Sequence, residues 1–429
     1  MRWWKLLLVC FVFPVIFSLP GACMSSFFDE DQEEDTGGGC SFGTEDEEDE
    51  VCGEYIRDSQ DDLHSGGVVI EDADDVDQIE GDQVILGSLE ITGISLEELK
   101  GLEDLECIGE NLIISDNSRL KNLKGLEKLE VIEGSLIVEQ NALLNDLTGF
   151  ERLFHLGYVE ISENDSLTSL TGLDGINRVN SVVIYKNESL KYLNGLDNLE
   201  HTGGIVIEDN DSLVNMEALK GLSGTIDFYY DEPWGFIFPE LVAVLDNDSL
   251  VNLEGFNNIT GLKTHFIIKD NKNISSLWGL ENLTYILGDL TIVSNDSLSS
   301  LAGLYSLETI DGSLNIGCEN SYSDCCEGNE SLSTLHGLAG LVSIRHSLRI
   351  IGNGALKSFE MNGLGLADLQ FLGSDGTDAG IQPYSAELVV KCNHMLPQCE
   401  AEQLRDRLVD GGFGGDVSVY DNYDGGTCE

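Results

Sequence analysis

The residues whose type and spacing come closest to chemistry are carboxylates. Asp116, Glu163, Asp209, Asp246 and Asp270 each directly precede an asparagine, and Asp165, Glu188, Asp211, Asp248 and Asp296 each directly follow one. A line of oxygen donors at a regular interval suits weak binding of a hard cation such as calcium. The same residues have a plainer reading, because Asp and Ser favour tight turns and the charges can stay solvated. Other reactive side chains are poorly placed. His336, in Leu335-His336-Gly337-Leu338, is one of seven scattered histidines and reads as a surface residue. Cys325 and Cys326 are adjacent, which suits neither a metal nor a redox pair. No Gly-rich phosphate loop, His-Glu-x-x-His helix or Gly-x-Ser-x-Gly elbow occurs. The expectation is therefore a chain without catalytic residues, cofactor or dedicated metal site. A carbohydrate-processing enzyme would require paired acids gathered in a cleft.

The carboxylates take their positions from a repeat. The phrase Leu-x-x-Leu-x-Gly-Leu-x-x-Leu begins at Leu96, Leu120, Leu143, Leu167, Leu190, Leu213, Leu250, Ile274, Leu298, Leu332 and Leu356. Most steps are 23 or 24 residues; 37 separate Leu213 from Leu250 and 34 separate Leu298 from Leu332, which marks insertions near 226–240 and 317–329. A second phrase, apolar-x-apolar-x-x-Asn, starts with Leu112, Ile114 and Asn117 and ends with Leu348, Ile350 and Asn353. Its period of two puts both apolar residues on one face of a strand. Its asparagines are Asn117, Asn141, Asn164, Asn187, Asn210, Asn247, Asn271, Asn295 and Asn353. Stacked coils would set these amides against neighbouring backbone, forming a ladder that satisfies buried peptide groups. Five of them open Asn-x-Ser triplets as a by-product; Asn258, Asn273 and Asn282 lie off the ladder and are the better glycan acceptors.

This pattern resembles leucine-rich repeats, and the run Leu301 to Leu314 is similar to the receptor L-domain variety. The resemblance covers about residues 66 to 385 and implies a mainly β, parallel solenoid of about 12 coils, each with one short strand. It implies fold rather than function, since such domains serve as ligand-binding modules in receptors and as surface proteins elsewhere. Residues 386–429 are expected to cap the stack. There Leu388, Val390, Asn393 and Val417, Val419, Asn422 echo the strand phrase around an amphipathic helical stretch from Cys399 to Leu408.

Recognition is expected at the irregular places. The strand residue between the two buried ones faces outward, and that row reads Ile113, Ile137, Glu160, Val183, Val206, Ala243, Ile267, Thr291. A contiguous apolar stripe marks either an interface or packing within the domain. The insertion before Leu241 carries Phe228, Tyr229, Tyr230, Trp234, Phe236 and Phe238, against 7% aromatic residues overall. Tyr and Trp on a loop favour binding. The leading function is a surface-exposed recognition or adhesion protein for protein or glycan ligands; the alternative is a structural envelope protein with homotypic contacts.

The address is read from the first residues. Arg2 and Lys5 precede an apolar run from Leu6 to Phe17, too short for a membrane span, which reads as an export signal over 1–23. Leu19-Pro20-Gly21-Ala22-Cys23 resembles a bacterial lipoprotein box with Cys23 as lipid acceptor, although Pro20 departs from that pattern; the other reading is ordinary cleavage near Ala22. Residues 24–65 read as an acidic, disordered tether, with sixteen carboxylates and one base between Asp29 and Asp62. The net charge of −56 excludes a phosphate-binding role in nucleic-acid recognition. An exported chain can form disulfides, and expected pairs are Cys40 with Cys52, Cys318 with Cys325 or Cys326, and Cys399 with Cys428, Cys392 taking what remains. Cys107 reads as a small unpaired core residue, which with a lipidated Cys23 leaves an even number of thiols.

Overall fold

The coil plan follows from where each residue type must go. In a computed structural model, fourteen parallel strands form one sheet in chain order. They are β1 (Val68–Ile70), β2 (Leu89–Thr92), β3 (Leu112–Ser115), β4 (Ser135–Glu139), β5 (Tyr158–Ser162), β6 (Arg178–Tyr185) and β7 (His201–Glu208). The series continues with β8 (Leu241–Leu245), β9 (His265–Lys269), β10 (Leu290–Val293), β11 (Leu314–Gly317), β12 (Leu348–Ile351), β13 (Glu387–Lys391) and β14 (Asp416–Tyr420). Twelve strands fall within the expected repeat region, and residues beyond 386 add two more to the same sheet. The structure describes Cys52, Tyr55 and residues 63–227, 241–318, 325–361, 364–366, 369–373 and 386–425. The chain divides into Met1–Asp49, outside the described residues, and Glu50–Glu429, to which all that follows refers.

Each strand sends alternate side chains inward, and those positions are fully buried from Leu89 and Ile91 to Leu388 and Val390. The return path buries the leucines of the turn phrase in the same core. At roughly 2 kcal/mol for each large apolar side chain taken out of water, this continuous core is the main stabilising force. One correction concerns phase. The first leucine of the third repeat is Leu144, which is wholly buried, whereas Leu143 is exposed. The backbone sets this, because the first leucine always lies three residues after the ladder asparagine, as Leu120 after Asn117 and Leu167 after Asn164.

The asparagines are buried at 0% exposure from Asn117 to Asn393, and Asn422 closes the series. Asn187 shows the pattern. Its Oδ1 accepts the Asn164 N–H at 3.1 Å, and its Nδ2 donates to the Ile161 and Tyr185 carbonyls at 2.9 and 3.1 Å. Its own N–H donates to Asn210 Oδ1 at 3.0 Å. The insertions leave the ladder intact: the Asn210 N–H reaches Asn247 across 37 residues at 3.1 Å, and the Asn295 N–H reaches Asn329 across 34 residues at 2.9 Å. Asn329 was missed by the strand phrase because the insertion falls between its strand and itself. The signal that finds it is Asn329-Glu330-Ser331-Leu332, the Asn-x-Ser-Leu that begins other coils.

Two short parallel sheets line the other side of the coils. One comprises Leu63–His64, Val84–Ile85, Cys107–Ile108 and Val131–Ile132. Here the reading of Cys107 is overturned, because it forms a disulfide with Cys52. Adjacent strand residues cannot share a face. Ile108 therefore enters the main core, while Cys107 joins Val84, Val131 and Cys52 in a separate cluster packed by Tyr55 and Leu63. The expected Cys40–Cys52 pair is thereby excluded, and the even count that spoke for a lipid on Cys23 loses its premise. The stretch expected to be a tether contributes Cys52, Tyr55 and Leu63–His64 to the folded body; Tyr55 Oη donates to Glu130 Oε2 at 2.7 Å.

The second insertion is clasped by Cys318–Cys326 and Cys325–Cys392, and Cys399 is also disulfide-bonded. Its expected partner Cys428, like Cys23 and Cys40, lies outside the described residues. Disulfides in this number are those of an exported protein. Helix α2 (Gln398–Asp410; a short α1 spans Ala73–Val76) packs Ala401, Leu404 and Leu408 into the core between β13 and β14. No helix among the described residues is long and apolar enough to cross a membrane.

Candidate functional site

The register places the outward row in one file. Val69, Glu90, Ile113, Ile137, Glu160, Val183, Val206, Ala243, Ile267, Thr291, Asn315, Arg349, Val389 and Ser418 are successive partners across the long sheet. The five apolar binding candidates Ile113, Ile137, Val183, Val206 and Ile267 are half-buried, as expected for outward residues flanked on both sides by neighbouring strands. Strand β8 differs. All five of its residues are buried, including the outward Leu241, Ala243 and Leu245. The aromatic candidates Tyr229, Tyr230, Trp234, Phe236 and Phe238 lie outside the described residues.

The row has two unlike borders. On the side where strands begin stand Ser135, Tyr158, Ser181, Gly204, Leu241 and His265. On the side where they end stand Glu139, Ser162, Tyr185, Glu208, Leu245 and Lys269. Period two places these residues on the same face, a signal that a reading confined to the central row passes over. Glu160 is tied down within the apolar row, since Tyr158 Oη donates to its Oε2 and Ser162 Oγ to its Oε1, both at 3.2 Å. Burial pushes the Tyr158 phenol well above its ordinary range.

The acids before the ladder have a backbone cause. Asp116, Gln140, Glu163, Lys186, Asp209, Asp246, Asp270, Ser294, Cys392 and Asp421 all hold φ between +52° and +61°. Each coil needs a left-handed residue there, and Asp tolerates that region better than most side chains. The carboxylates are spread along the coils rather than gathered. Among the described residues the one group of three metal-ligating side chains within 4.8 Å is Cys325, Cys392 and Asp421. Its two sulfurs are bonded to each other, so they are not thiolate ligands.

Crowding still has a consequence. Glu208 is pushed up to about 7, first by burial and then by Asp246 and Asp209, with Lys269 opposing. Asp246 is pushed up to about 6, by burial and then Asp270. Both carboxyls hold protons more tightly in the folded chain than in the unfolded one. The stability linked to their protonated forms is full below about pH 4 and is lost as pH rises through 6 and 7. For Glu208 this amounts to at most about 3 kcal/mol. The melting temperature should therefore fall between about pH 5 and pH 8. Glu208→Gln should raise it at the upper end and flatten the profile, and a variant that keeps the wild-type slope would contradict this assignment.

Residues 83–147 match the family model of the Receptor L domain. No curated protein matches the chain. The matched segment holds β2, β3 and β4, and the coil plan it contains runs on unchanged in kind through the strands that follow. From this match and the parallel solenoid together, the chain is an L-domain-like repeat protein.

Proposed function

We propose that this protein is a non-enzymatic recognition module of the cell exterior, binding a protein or glycan ligand on the outward face of its long sheet. The observation that supports this reading is the single file of outward residues, apolar across β3, β4, β6, β7 and β9 and bordered by Tyr158, Tyr185 and Glu208. Isolated apolar residues on a surface are ordinary, but a file in register across neighbouring strands is a contiguous patch of the kind that marks interfaces. The half-buried border supplies a hydroxyl at Tyr185 and a carboxyl at Glu208 that can orient a ligand. The segment 228–240, rich in aromatics, directly precedes β8 in the sequence and belongs to the same reading. Export by the 1–23 segment, with or without a lipid on Cys23, delivers the module to the envelope.

The test compares the wild-type chain with Val183→Lys/Val206→Lys in binding to a glycan array and to intact cell surfaces. Both side chains point outward, so circular dichroism should be unchanged, while binding weakens at least tenfold, or about 1.4 kcal/mol. Undiminished binding by a folded double variant would place the ligand elsewhere. Trp234→Ala/Tyr230→Ala asks separately whether the aromatic segment shares in the contact.

A further inference from the structure

Seven coils close their turn in the same way. The N–H of the turn glycine donates to a side-chain oxygen two residues on: Gly101 to Glu103, Gly125 to Glu127, Gly149 to Glu151, Gly172 to Asp174, Gly195 to Asp197, Gly255 to Asn257 and Gly279 to Glu281, at 2.8 to 3.1 Å. The next two coils break the rule. Gly303 is followed at that position by Tyr305, and Gly337 by Ala339. Both glycines are buried with φ +122°, like their counterparts, yet neither N–H has an acceptor among the described residues. A buried N–H without a partner is rare and costs about 1–3 kcal/mol. The rule lapses once among the seven coils, where a 3-10 turn over Glu217–Gly221 carries Ala218 in place of the glycine. Two adjacent coils that keep the glycine and drop its acceptor mark a place shaped for something other than stability.

In the first of these coils an aromatic ring, Tyr305, stands where the acceptor would be. Tyr305 is 42% exposed, and its ring meets that of His336 on the next coil edge-on at 5.2 Å. Trp278, on the coil before, is 55% exposed, the most exposed large apolar side chain among the described residues. Trp278, Ala302 and His336 occupy the same position in three consecutive coils, directly before Gly279, Gly303 and Gly337. The small Ala302 leaves a step between two rings, with coils about 4.8 Å apart.

We propose that this shelf binds a glycan built from N-acetylated hexosamines. The apolar face of a pyranose ring stacks on Trp278 or Tyr305, and its acetamido carbonyl accepts the Gly303 N–H. It thereby takes the place that the Asn257 carboxamide oxygen fills on its own coil. A second acetamido group, one sugar along, serves Gly337. A neutral carbonyl suits the position better than a carboxylate, because Glu281 stands one coil away and the chain carries a net charge of −56. These residues lie on the turn edge of the coils and not on the long-sheet face, so the two sites stand or fall separately.

Calorimetric titration of the full chain with a β-linked N-acetylglucosamine tetramer tests this, with the glucose tetramer of the same linkage as control. The N-acetylated tetramer should bind at least tenfold more tightly than the control. Trp278→Ala, which removes an exposed side chain, should weaken binding at least tenfold without altering the melting temperature. Tyr305→Glu should restore the turn-closing bond to Gly303, raise the melting temperature and abolish binding. No binding of the N-acetylated tetramer, equal binding of the two tetramers, or a Tyr305→Glu variant that binds as the wild type would each overturn the proposal.

Discussion

Replacing Asn187 with leucine should cost about 2–6 kcal/mol, a large loss for a single substitution. The side chain is wholly buried in the middle of the stack. Leucine is of similar size, so packing is nearly conserved while hydrogen bonding is not. The change strands two buried groups, the Asn164 N–H and the Ile161 carbonyl, while the Tyr185 carbonyl loses one of two donors and keeps the Glu163 N–H at 3.0 Å. Each orphan costs about 1–3 kcal/mol. Urea unfolding followed by circular dichroism measures the loss. Because coils interact chiefly with their neighbours, the transition should also broaden or divide as the stack parts near the substituted coil. The same substitution at the exposed Asn194 is the control and should stay within about 0.5 kcal/mol. Equal effects at the two positions would mean that the ladder does not carry the coils.

Gly279→Ala should be comparably damaging, for a steric reason. Gly279 sits at φ +111°, where an L side chain is strained, and an added Cβ would lie 2.0 Å from the Leu253 carbonyl oxygen and 2.3 Å from its carbon. That carbonyl belongs to the backbone of the adjacent coil, so it cannot rotate away. Relief requires the two coils to separate, which breaks the bond at 2.8 Å that the Leu253 N–H donates to the Trp278 carbonyl between them. A cost of about 3–5 kcal/mol follows from overpacking and backbone strain together. Gly354→Ala is the comparison, since nothing lies within 4 Å of its added Cβ. There the smaller entropy of the unfolded chain should leave stability unchanged or raised by a few tenths of a kcal/mol. Hydrogen exchange should show protection lost around Leu253 and Leu277 in the first variant and unaltered in the second.

The solenoid was legible because its constraints recur. A strand phrase and a turn phrase seen in many coils fix the face of every leucine and the burial of every ladder asparagine. Where a coil departed from the phrase, legibility failed for stated reasons. Leu143 and Leu144 adjoin, and counting three residues on from Asn141, or back from Leu147 and Gly149, selects Leu144. Cys107 reads as a core residue in sequence because it occupies an apolar repeat position, and its partner lies 55 residues earlier, where no repeat exists to give a register. The outward row was visible in its central file, but its borders Tyr158, Tyr185 and Glu208 were not. Recognising them requires counting outward along each strand as well as across the strands. The turn-edge shelf was harder still. His336 is unremarkable in sequence, and Tyr305 acquires meaning only once the carboxylate it replaces is seen to hold a backbone N–H in the other coils.

The ladder bonds that bridge 37, 34 and 40 residues are as short as those that bridge 23 or 24, at 3.1, 2.9 and 3.0 Å against 3.0 to 3.2 Å. The rise of the stack and the length of chain spent on each coil are thus independent variables. An added segment alters the contour without disturbing the framework, so this architecture can gain, lose or exchange surface loops while its neighbours stay in place. Diversification of such a chain needs no redesign of the interior, only a change in how far the backbone wanders between one asparagine and the next.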